Sequence, residues 1–164
     1  MKRVALYSFV LALAAGTSIA QLVPEPPEPI VGGRMPALSP DGKRLAFVYR
    51  GDIWIAPSGG GRATPLTQHV ETDAYPVFSP DGKWVAFASR RNGNWDIFAV
   101  PSEGGAARQL TWHSGSDIPQ GWSPDGKSIL FAGRRDTPNY AIYSLDVSTL
   151  RSTVLCEDYA QQIG

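Results

Sequence analysis

Three kinds of residue with chemical potential recur along this chain at one spacing. Arg90–Arg91 and Arg134–Arg135 are 44 residues apart, as are His69 and His113, and Asp73 and Asp117. A histidine near a carboxylate could move protons. An arginine cluster could clamp a carboxylate bidentately. Trp112, beside His113, could offer a surface contact. The shared spacing argues for another task, because groups repeated at a fixed position are expected where architecture repeats. For the His/Asp set it favours a structural role, hydrogen bonding the link between repeated units. The arginines, together with Arg50, suit either surface ion pairs with those aspartates or carboxylate recognition.

Other chemistry finds no support in the residues. No Gly-x-Ser-x-Gly elbow occurs, so a serine hydrolase of that type has no nucleophile. The two histidines lack a His-Glu-x-x-His frame, and Asp-rich calcium loops are missing. No catalytic residue, metal or other cofactor is expected. Cys156 is the only cysteine, which excludes an intrachain disulfide, and a lone thiol is expected to be buried as a small hydrophobe.

The elements that carry these residues come from a repeat. Ser-Pro-Asp-Gly-Lys occurs at Ser39–Lys43, Ser79–Lys83 and Ser123–Lys127, 40 and then 44 residues apart. Pro40, Pro80 and Pro124 preset the first corner of a tight turn, and Asp41, Asp81 and Asp125 tolerate the second. Gly42, Gly82 and Gly126 take the positive φ that closes it. These turns are therefore corners of structure, not active sites. The segments after each turn, "KWVAFAS" and "KSILFAG", are too short for helices and rich in β-branched and aromatic residues. "WDIFAV" and "YAIYSL" alternate, and Asn92-Gly93 and Gly104-Gly105 punctuate the runs. Each unit reads as four antiparallel strands in a meander, and four-stranded units at this period build a β-propeller. Alternating strand direction puts the Ser-Pro-Asp-Gly and Gly-Gly turns at one end. The arginines, His69, His113, Asp73, Asp117 and Trp112 gather at the other, where propeller loops commonly carry binding.

The pattern "PxFSPDGKxxAF…GNWDIFxVPxxGG…RQLT" resembles the WD40-like β-propeller repeat of TolB and of the tricorn-type proteases, from Met35 to about Cys156. The resemblance implies an all-β fold: three four-stranded blades (35–67, 74–111 and 118–156) belonging to a six- or seven-bladed ring. It also implies an exported binding or scaffold module whose partner is another protein or a peptide. The alternative is the N-terminal, non-catalytic propeller of a tricorn-like or prolyl-oligopeptidase-like serine peptidase. The third copy departs from the pattern, with Ala141 in place of Asp and "STLRSTVLCED" in place of "GGxxRQLT".

The N-terminus carries a second message. Lys2 and Arg3 precede thirteen apolar or small residues, "VALYSFVLALAAG", and "TSIA" ends in small residues before Gln21. This is the layout of a secretory signal peptide cleaved after Ala20, which predicts a periplasmic or secreted bacterial protein. An uncleaved anchor is the alternative. Residues 21–33 form a proline-rich spacer, and residues 34–164 hold the repeats. Removing Lys2 and Arg3 from 15 basic residues leaves 13 against 15 acidic ones, so nothing points to nucleic acid. No second apolar stretch predicts an integral membrane protein after cleavage. Three blades do not close a ring. The chain is therefore expected to be the front of a longer protein, or to self-associate through open blade faces.

Overall fold

The computed structural model describes residues 30–135 and 139–156. The expected signal peptide and most of the spacer lie outside the described residues. Twelve strands form three antiparallel four-stranded sheets. The first comprises β1 (Arg34–Leu38), β2 (Arg44–Tyr49), β3 (Asp52–Pro57) and β4 (Thr64–Pro65). The second comprises β5 (Asp73–Phe78), β6 (Trp84–Ser89), β7 (Asp96–Pro101) and β8 (Arg108–Gln109). The third comprises β9 (Asp117–Trp122), β10 (Ser128–Gly133), β11 (Ala141–Asp146) and β12 (Ser152–Cys156). In every sheet the spatial order follows the chain, as a meander requires. The all-β fold with three propeller blades is the one the repeat predicts.

The Ser-Pro-Asp-Gly turn forms the same way three times. Ser79 Oγ donates to Asp81 Oδ1 at 2.6 Å, and the Lys83 amide donates to the same oxygen at 3.0 Å. Ser79 Oγ also accepts the Trp84 amide at 3.0 Å. The Ser39 and Ser123 turns repeat this set. Hydrogen bonds from the serine and the lysine amide hold all three aspartate carboxyls below the ordinary carboxylate range. The closing glycines have φ of 73°, 68° and 71°. Gly82→Ala and Gly126→Ala are therefore expected to lower the unfolding free energy by about 1 kcal/mol each, checked by urea unfolding. Unchanged midpoints for both would refute the left-handed corner.

Burial is continuous in blade two, where both sheet faces are covered, and alternates in β10 and β11 of blade three, where one face lacks a neighbour. In β6, Val85 and Phe87 face the first blade and Ala86 faces the third, and all are fully buried. In β10 and β11, Ile129, Phe131, Tyr143 and Leu145 are buried against the second blade. Leu130 and Ala132 between them are half-buried, and Ile142 is 40% exposed. One core lies between blades one and two, centred on Val48, Ile53, Phe87 and Phe98. The other lies between blades two and three, around Ile97, Leu110, Phe131 and Leu145. The blades are thus held by the faces they share. Cys156 corrects an expectation: it is exposed, because it sits on the outermost strand β12, opposite Ile142 on the uncovered side of blade three.

Candidate functional site

The end of the arc that carries the arginines is built by the β2–β3 and β6–β7 turns and by the links between blades. The Asp73 amide donates to Gly51 O and the Asp117 amide to Trp95 O, each at 2.7 Å, tying each link to the preceding blade. The two arginines of each pair then part company. Arg91 Nη2 meets Asp73 Oδ2 at 2.8 Å. Arg135 grips Asp117 with Nε–Oδ1 at 3.0 Å and Nη2–Oδ2 at 2.6 Å. Both aspartates are fully buried. The Arg91 guanidinium lies over Phe87 and Phe98, 5.7 and 5.0 Å from the ring centroids. That of Arg135 lies over Phe131 and Tyr143 at 4.8 and 5.3 Å.

These ion pairs are not the surface pairs the spacing suggested. Each desolvated carboxylate is compensated by one guanidinium that is also packed on two rings. The pairing follows from register. Asp73 sits directly opposite Ser89 and Asp117 opposite Gly133, and the arginine two residues further on folds back over the strand. Blade one has no such pair, because Gly33 and Gly51 stand at the corresponding positions.

The two histidines fasten the links. His69 Nδ1 accepts the Glu71 amide at 3.1 Å, and His113 Nδ1 accepts the Gly115 amide at 2.9 Å. Asn94, which sequence reasoning passed over, donates to His113 O at 2.7 Å and Gly115 O at 2.9 Å. A second unforeseen device clasps the third strand to the blade's end. Thr67 Oγ1 and Thr111 Oγ1 each accept the amide of an isoleucine, Ile53 or Ile97, at 2.9 Å. Beside Thr111, burial pushes the Asp96 carboxyl above its ordinary range, and the Asp117 charge adds to this. The recurrence of "DI" and "LT" in blades one and two was the available signal for this clasp.

What remains available for a partner is narrower than the sequence set. Arg90 is exposed with its guanidinium 5.4 Å from the Trp95 ring, and Arg134 is exposed 4.9 Å from the Tyr140 ring. Trp112 is 63% exposed and stands between two depressions. One, of about 470 Å³, is lined by the carboxamides of Asn92, Asn94 and Gln109. Such a surface offers cations, amide donors and acceptors and an aromatic plate, which suits a peptide or protein contact. Among the described residues no group of three or more His, Cys, Asp or Glu side chains could hold a metal ion.

Residues 33–163 match the family described as the tricorn protease N-terminal beta propeller domain. The chain belongs to this family. It is 41% identical over 54 residues to tricorn protease homolog 1 of Streptomyces coelicolor, covering 33% of this chain and 5% of that protein. A solved structure assigned as TolB from Agrobacterium tumefaciens superposes with a TM-score of 0.69 at 31% identity. That match covers 76% of this chain and 46% of the other. The crystal structure of the tricorn protease shares the fold, with a TM-score of 0.64 at 20% identity over 75% of this chain and 13% of that one. The chain thus spans less than half the length of each of these proteins. It is a propeller domain of the TolB and tricorn type.

Proposed function

We propose that this propeller is an exported docking module that binds another protein or a peptide and has no chemistry of its own. The observation that carries this reading is the division within the arginine pairs. Arg91 and Arg135 are consumed by buried aspartates, while Arg90, Arg134 and Trp112 are left exposed at one end. Structural likeness to a TolB protein supports a binding role, and the charged start followed by "VALYSFVLALAAG" supports export. On this reading one arginine of each pair holds the blade together and the other is offered to a partner.

A second reading rests on the family itself. The matching family is defined on a protease, and a relative is a tricorn protease homolog, which favours a propeller that gates a peptidase domain encoded in the same protein. A serine-hydrolase or PDZ-like segment in the reading frame beyond Gly164 would decide for it.

Docking and export are tested together in a Gram-negative host with a photo-crosslinking residue at Trp112, Arg134 or, as control, Lys83 at the opposite end. The recovered chain is expected to begin at Gln21. A discrete adduct is expected from Trp112 and Arg134 and not from Lys83. Met1 retained on a cytoplasmic product would reject export, and equal adducts from all three positions would reject docking through this end.

A further inference from the structure

The junctions between blades differ at the Ser-Pro-Asp-Gly end, and the difference leaves one of them filled and the other open. Between blades one and two, Arg44 reaches across. Its Nη2 donates to Gly82 O at 2.7 Å and its Nη1 to Ser102 Oγ at 3.0 Å, with Glu103 as its ion-pair partner. Its guanidinium lies over the Phe78 ring at 5.7 Å. The chain supplies its own arginine to fill this cleft.

At the next junction the same frame is kept and the arginine is missing. Trp84 holds the position of Arg44, and Trp122 that of Phe78. Val147 stands where Ser102 supplies a hydroxyl, so no side chain among the described residues donates to Gly126 O. Ala99 replaces the larger Ile55. The result is an open cleft of about 560 Å³, with Trp84 41% exposed on its wall. Asp81 and Asp125 line it, each using Oδ1 within its own turn. Arg108 is the one cation among the lining residues, donating to Val147 O at 3.3 Å. The lining therefore carries a net charge of −1.

We propose that this cleft binds an arginine side chain presented by a peptide, in the place Arg44 fills at the neighbouring junction. The indoles of Trp84 and Trp122 receive the guanidinium face, as the Phe78 ring does in cis. Gly126 O and the carboxylates of Asp81 and Asp125 accept its N–H groups. The site lies at the opposite end of the blades from Arg90, Arg134 and Trp112, and it stands whether or not that end docks a partner.

The test titrates acetyl-Gly-Arg-Gly-amide into the ¹⁵N-labelled chain and follows the indole N–H signals of Trp84 and Trp122. Saturable shifts of these two are expected, with binding at least tenfold weaker for the isosteric, uncharged citrulline peptide. In Trp84→Arg, a guanidinium in cis restores the arrangement of the first junction. This variant is expected to keep its unfolding midpoint and to lose the Trp122 shift. Equal binding of the arginine and citrulline peptides, no shift with either, or undiminished binding by a folded Trp84→Arg would each overturn the proposal. The peptide comparison reads the site without any substitution.

Discussion

Replacing Arg135 by alanine is expected to cost about 3–5 kcal/mol of stability, among the largest losses available outside the hydrophobic core. Its partner Asp117 is fully buried and accepts two of its N–H groups, so the substitution strands a carboxylate in a desolvated site. It also removes the plate that covers Phe131 and Tyr143. The neighbour Arg134 is exposed, and Arg134→Ala is expected to change stability by no more than about 0.5 kcal/mol. Arg91→Ala should lie between them. Arg91 makes one N–O contact with Asp73, and Asp73 Oδ1 and Arg91 Nε have no hydrogen-bond partner. The difference has a local cause. Blade three has Gly133 where blade two has Ser89, and a Cβ at position 133 would come within 2.9 Å of Asp117 Oδ1.

Urea unfolding of the three variants reads this order directly. The double variant Asp117→Leu/Arg135→Met should recover most of the loss, since an apolar pair leaves no charge uncompensated. Equal losses for Arg134→Ala and Arg135→Ala would remove the distinction on which the docking surface rests.

Much of this fold could be read from one dimension. The repeated Ser-Pro-Asp-Gly fixes three corners, and the runs "WVAFAS" and "DIFAV" fix strands whose order follows the chain. The two ends of the meander, and the gathering of arginines at one of them, follow from strand direction alone. What stayed hidden depended on depth and on side-chain reach. Asp73 and Asp117 looked like surface residues because a lone aspartate in a link is usually solvated; their burial depends on an arginine 18 residues away that returns over the same strand. Arg44 drew no notice in the sequence, because its contact with Gly82 and Ser102 crosses between blades. The cleft at the second junction arises from substitutions among copies of one repeat, which alignment by similarity smooths over. Cys156 misled for the opposite reason: its residue type predicts burial, but its strand is the rim.

The second large effect concerns the blade faces. Blade two is apolar and buried on both sides, as a blade inside a ring must be. Blade three repeats its residue types but is covered on one side only, leaving Leu130 and Ile142 on its far side half-buried or exposed. On blade one, Leu45, Tyr49 and Trp54 line a groove of about 490 Å³, and the buried Trp54 Nε1 has no hydrogen-bond partner. The far faces of blades one and three are the same two kinds of surface that already pack together at both junctions. A chain of residues 21–164 is therefore expected to associate head to tail through them, two copies giving six blades. Ile142→Arg places a charge on one of these faces without touching either internal core, and it is expected to weaken that association.

Sedimentation velocity of residues 21–164, run beside a hydrophobic-dye titration, tests most directly the claim that the chain is an arc of blades completed only by further blades. The account predicts assemblies at least twice the monomer mass, or a monomer that binds the dye, with Ile142→Arg shifted toward the smaller species. A compact monomer that ignores the dye, in wild type and Ile142→Arg alike, would contradict it.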